Sequence, residues 1–167
     1  MSQYKHPTDV IVNELREMRD RIATAARGED DRVSYRAYLL QARSIKAIEE
    51  QVAGQNAAAS ARAIREGITD DAEIEGYWLT MLAEWLVYHE KLTRESLEGG
   101  ETDRLPFAVG GEEAKAISRL HAKRHHEMIS GFCERHVAVL RERADVLERD
   151  KLKFHELQPT LDRTPCM

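Results

Sequence analysis

The sequence predicts an all-α protein, an elongated bundle of four to five helices with one very long C-terminal helix. Three observations carry this. Charged residues make up 33% of the 167-residue chain and aromatics only 6%, with nine Gly and four Pro, a balance that favours a helix-rich domain over a sheet or a disordered chain. Residues 111–153 contain no Pro and a single internal glycine, Gly131. Along the whole chain, apolar residues return at steps of three and four, the period of one helix face.

In chain order, Pro7 fits the first turn of a first helix and Thr8 can cap it. Ile11, Leu15, Met18, Ile22 and Ala25 form a narrow apolar stripe that ends near Arg27, because Gly28 suits a helix C-terminus. The acidic run Glu29, Asp30 and Asp31 suits the next N-terminus. A second helix spans residues 31–66 with Tyr38, Ile45, Ile48 and Val52 on one side. Gly54-Gln55-Asn56 interrupts it, and the alanine-rich run that follows continues it beyond a kink up to Gly67. Asp70 and Glu73, at capping-box spacing, open a third helix whose apolar face holds Ile74, Trp78, Met81, Leu82, Trp85 and Leu92. Gly99-Gly100 stops it, and an internal loop with Pro106 leads to Gly111.

The fourth helix runs from Gly111 to Lys153, about 60 Å at ~1.5 Å per residue. Ile117, Met128, Phe132, Val139 and Val146 mark its apolar side, flanked by Leu120, Ile129, Leu140 and Leu147. The third helix covers only about 40 Å. The far end of the fourth, with Leu140, Val146, Leu147 and Leu152, is therefore expected to need a second subunit or another partner. Residues 1–153 read as one helical domain and 154–167, with Pro159 and Pro165, as a C-terminal tail.

Composition excludes several function classes. A net charge of -5 argues against wholesale coating of nucleic acid. No apolar run approaches the ~20 residues of a membrane span. The opening MSQYKHPTD lacks the apolar core of a secretory signal, so the expected location is the cytoplasm or a particle assembled there. Cys133 and Cys166 are too few and too scattered for a disulfide framework or a zinc knuckle. Neither a glycine-rich phosphate loop nor a nucleophile elbow can be assembled, and no organic cofactor is expected.

Two constellations could carry chemistry. His89 lies eight residues before Leu97 near the end of the third helix, and His121 about nine after the start of the fourth. Antiparallel packing would bring them to one level, with His125 one turn deeper at the i, i+4 spacing of metal-sharing imidazoles. Three inward histidines suit zinc, nickel or ferrous iron, with Glu14 or Glu49 as an added ligand. The second constellation is a basic line, Lys115, Arg119 and Lys123 with Arg124 beside it, that could follow a phosphate backbone. The function expected first is non-enzymatic: a helical subunit of a larger macromolecular assembly, a homo-oligomer, or part of a virion or nucleoprotein particle. A metal-binding bundle using His89, His121 and His125, and a nucleic-acid-contacting subunit using the basic line, are the alternatives.

Overall fold

The computed structural model describes residues 6–99 and 111–162, with residues 56, 99 and 151–162 as backbone alone. Four helices account for the fold: α1 (Pro7–Arg27), α2 (Arg32–Arg65), α3 (Asp71–Gly99) and α4 (Glu112–Asp162). The internal loop after Gly99 and the last five residues, Cys166 among them, lie outside the described residues.

Local chemistry sets the helix ends. The α1 N-cap is His6 rather than Thr8: its Nδ1 accepts from the Thr8 amide at 3.2 Å, and Pro7 takes the first helical position. Asp31 caps α2 by accepting from the Ser34 amide at 2.9 Å. Gly67, at φ +80°, closes α2: the Ile68 amide reaches Ala63 O and the Gly67 amide reaches Ile64 O. That pair of bonds needs a left-handed residue, which Gly adopts without Cβ strain. At α3, Asp70 Oδ2 accepts from the Glu73 amide at 3.3 Å, one half of the expected capping box. Helix α2 is continuous across Gly54, because the ~1 kcal/mol cost of one interior glycine is offset by strong helix formers around it.

Consecutive helices run antiparallel. The core joins Ile11, Leu15, Met18 and Ile22 of α1 to Ile45, Ile48 and Val52 of α2. Trp78, Leu79, Leu82 and Leu86 of α3 meet Ile129, Phe132, Val137 and Leu140 of α4 in the same cluster. Burying each such side chain contributes about 1.5–3 kcal/mol, so the four stripes, more than any polar contact, hold the bundle together. Small side chains, Ala59 and Ala63, let the C-terminal half of α2 join this interior without displacing larger neighbours.

Two sequence expectations for α4 change. The helix continues to Asp162, nine residues past Lys153, and Phe154–Gln158 contains no helix breaker. Its far end also has a partner within the chain as far as Leu147. Leu140 is fully buried, and Ala144 and Leu147 pack against the core beside Ile68, Ala72 and Tyr77. The start of α3 reaches this level because α3 is itself 29 residues long and antiparallel to α4. Val139, assigned to the apolar side, is 53% exposed, and its neighbour Leu140 takes the inward position.

Candidate metal centre

The interior of the bundle is not wholly apolar. His89 of α3 meets His125 of α4 edge-on with ring centroids 6.0 Å apart, and His121 stacks on His125 at 5.5 Å. Trp85, one turn before His89, stacks on it at 5.3 Å and fixes the plane of that ring. The three histidines proposed from helix register are thus brought to one place. His125 is buried, while His89 and His121 are half-buried at its mouth.

Helix α2 brings two polar side chains against this part of α4, Ser44 on the cluster and Gln41 beside Arg124 and Met128, neither singled out by the sequence. Ser44 Oγ lies 2.9 Å from His121 Nε2. Gln41, buried to 2% exposure, donates to the Arg124 carbonyl at 3.4 Å and leaves its own Oε1 without a partner. A signal was present: Gln41 falls between Ala37 and Ile45 on the buried stripe of α2, and Ser44 one turn before Ile48. A polar residue at a core position faces either solvent or another polar group, and here it faces α4.

The electrostatics of the cluster follow from burial. Desolvation depresses the pKa of His89 and of His121 below the ordinary imidazole value. His125 falls to about 3, first through desolvation and then through the neighbouring His121, His89 and His126. All three rings are therefore neutral near pH 7, the form that offers a lone pair to a metal. His89 Nε2 and His125 Nδ1 are buried and have no hydrogen-bond partner. Unsatisfied buried nitrogens cost ~1–3 kcal/mol each, which water or an ion would relieve.

The rings do not yet converge. His121 and His125 lie within 17° of parallel, and among the described residues no three His, Cys, Asp or Glu side chains stand in ligating geometry. Ligation would require the imidazoles to turn about their side-chain torsions. Neither carboxylate suggested as an added ligand joins the cluster: Glu49 pairs with Arg16 at 2.8 Å and Arg19 at 3.2 Å. Glu14 instead bridges Arg135 and His136, each at 2.5 Å.

The basic residues separate into two groups. Arg124 turns inward, donating to Ser34 O at 3.0 Å and Ser34 Oγ at 2.6 Å with its guanidinium 3.9 Å over the Tyr38 ring. Planar stacking and a forked donor suit Arg for such a clamp. Lys115, 3.8 Å from Glu112, and Arg119 both have intrahelical or nearby partners, while Lys123 is exposed. Cys133 is 2% exposed, and burial followed by the charge of Glu90 pushes its thiol up to about 12, which suits packing rather than nucleophilic use. No described helix is long and apolar enough to cross a membrane. Comparison with protein-family models, curated proteins and solved structures finds no match to this chain.

Proposed function

We propose that this bundle binds a divalent transition-metal ion between α3 and α4, with His89, His121 and His125 as its protein ligands. The observation that supports the reading is the meeting of three imidazoles from two helices at one partly buried place, two of them with buried, unpartnered ring nitrogens. An all-imidazole set favours zinc, nickel or ferrous iron over calcium or magnesium. Ligation brings each nitrogen to ~2.0–2.1 Å from one ion, and solvent at the half-buried mouth would complete the shell. Ser44 would orient His121 from behind through Nε2, leaving Nδ1 as the ligating atom.

The experiment is a calorimetric titration of chelator-treated protein with zinc and with nickel, followed by elemental analysis. One ion per chain is expected, with uptake lost in His89→Ala, His121→Ala and His125→Ala and retained in His136→Ala. Absence of stoichiometric uptake by the wild type, or uptake insensitive to all three substitutions, would overturn the reading. The assembly-subunit reading loses one of its arguments, since Leu140 and Leu147 are covered within the chain. A different surface bears on it.

A further inference from the structure

We infer that the groove between the N-terminal half of α2 and the first turns of α4 docks an acidic amphipathic helix of a partner protein. The groove has a volume of about 450 Å³ and an apolar floor of Leu39, Leu40, Ala114 and Ile117. Leu39 is 43% exposed, and Tyr35, one turn earlier, is 42% exposed. A large apolar side chain left in water marks an interaction surface when it sits in a concave site.

Charge selects the occupant. Arg36 and Arg43 stand on the α2 wall, both exposed, and neither forms a hydrogen bond or ion pair with a described residue. Their neighbour Arg32 behaves differently, pairing with Glu113 of α4 at 2.8 Å. The seven-residue step from Arg36 to Arg43 is two helical turns, about 10.5 Å at ~1.5 Å per residue. A helix laid in the groove repeats on the same interval. Apolar side chains at i, i+3 or i+4, and i+7 would meet Leu39, Leu40 and Ile117. Acidic side chains seven apart on its flank would meet the two guanidiniums, which accept carboxylates in a bidentate fork. A basic or neutral helix would leave both cations facing like charge or nothing, so the arrangement discriminates as well as attracts.

A second copy of this chain is the less suited occupant. The apolar stripe of its α1 is spent on the core: Ile11, Leu15, Met18 and Ile22 are at most 4% exposed. The exposed pair Tyr88 and Leu92 on α3 has its flanking acids, Glu84 and Glu95, eleven residues apart rather than seven, and Glu95 is already 3.8 Å from Lys91.

The test uses the full chain and two synthetic helical peptides, each with a leucine seam, one with Glu and one with Lys at seven-residue spacing on the flank. Fluorescence anisotropy should show the Glu peptide binding the wild type at least ~tenfold more tightly than the Lys peptide, with affinity falling as salt rises. The double variant Arg36→Glu/Arg43→Glu should invert that preference. Leu39→Asp should abolish binding of both peptides. All three substitutions are at exposed positions, so melting temperature and circular dichroism should match the wild type and show that each variant folds. Equal binding of the two peptides, no binding of either, or binding unaffected by the charge reversal would overturn the proposal. So would a wild-type dimer in light scattering that becomes monomeric in the double variant, because the groove would then belong to a second copy.

Discussion

Helix α4 carries two buried histidines on one side, eleven residues apart, and they live in opposite chemical settings. His136 faces the Glu14 carboxylate at 2.5 Å, with Arg135 bonded to the other oxygen of the same carboxylate. His125 faces two more imidazoles, one of them stacked on it, and no carboxylate partner among the described residues. Both are below 10% exposed, so burial is common to the two sites and cannot be what separates them. The partner is. A carboxylate completes one histidine and turns it into a latch between α1 and α4. Burial, with only imidazoles for company, leaves the other ring neutral, with an unpartnered buried nitrogen. A helix position thus fixes whether a histidine is inside, and the helix packed against it fixes what that histidine can do.

The largest expected effect breaks the latch. Glu14 has two opposed influences on its acid: burial works to raise the pKa, while the hydrogen bonds and charges of Arg135 and His136 outweigh it and hold the carboxyl below its ordinary value. Glu14→Ala strips both partners at once. Because Arg135 is well exposed, the cost should fall below that of a fully buried pair, at about 2–3 kcal/mol in urea unfolding. Glu14→Gln keeps the shape and one acceptor, and should lose less. Metal uptake should be unchanged in both. If Glu14→Ala is neutral, or if it abolishes metal uptake, the two histidine sites are not the separate devices described.

The next effect in size reads the other site through pH. A histidine buried in neutral form protonates more readily in the unfolded chain, so the unfolded state binds more protons below its pKa of ~6.5 and stability falls with acid. For His125, whose folded value lies at about 3, the loss runs from pH 6.5 downward at up to ~1.4 kcal/mol per unit. Metal-free protein should therefore lose about 2 kcal/mol between pH 6.5 and 5. Glu14 adds nothing in that window. Its depressed carboxyl gives stability that is full above the unfolded value of 4.5 and is lost only as pH falls below it. His125→Leu should shrink the loss in the upper window to what His89 and His121, also depressed by burial, contribute, and leave the acid limb intact. A wild-type stability that is level from pH 6.5 to 5 would contradict the assignment of His125 as buried and neutral.

How much of this was legible in the sequence can be argued residue by residue. The bounds of α1 came from Pro7 and Gly28, because both act through backbone sterics that need no tertiary information. The grouping of His89, His121 and His125 came from arithmetic: two helices joined by a loop run antiparallel, and residues equally far from the turn share a level. The bond from Glu14 to His136 was not legible, since it spans 122 residues and needs the placement of α1 against α4. Arg124 misled for a related reason. Its neighbours on the helix are surface cations, but a long side chain can turn back, and Tyr38 with Ser34 on α2 supplied the place to turn to. Leu140 and Val139 show the limit of periodicity, as an arc on one helix cannot say where the neighbouring helix ends.

The smallest effect sharpens the comparison most closely, because Ser44 is to His121 what Glu14 is to His136. Each is a single oxygen from another helix on the Nε2 of an α4 histidine, at 2.9 Å in one case and 2.5 Å in the other. One is a hydroxyl and the other a carboxylate. A carboxylate only accepts, so Glu14 bonds the Nε2–H of His136, whereas a hydroxyl also donates, and Ser44 selects a His121 tautomer only by accepting from Nε2–H as proposed above. Removing a neutral hydrogen bond at a half-buried position costs about 1 kcal/mol, well under the cost at Glu14. Ser44→Ala should therefore lower stability by about that amount and leave the slope with pH as it was. Nitrogen chemical shifts of the His121 ring, measured on metal-free protein, should move toward a mixture of the two neutral tautomers. An unchanged tautomer in the variant would show that α4 itself, and not the hydroxyl from α2, orients that ring.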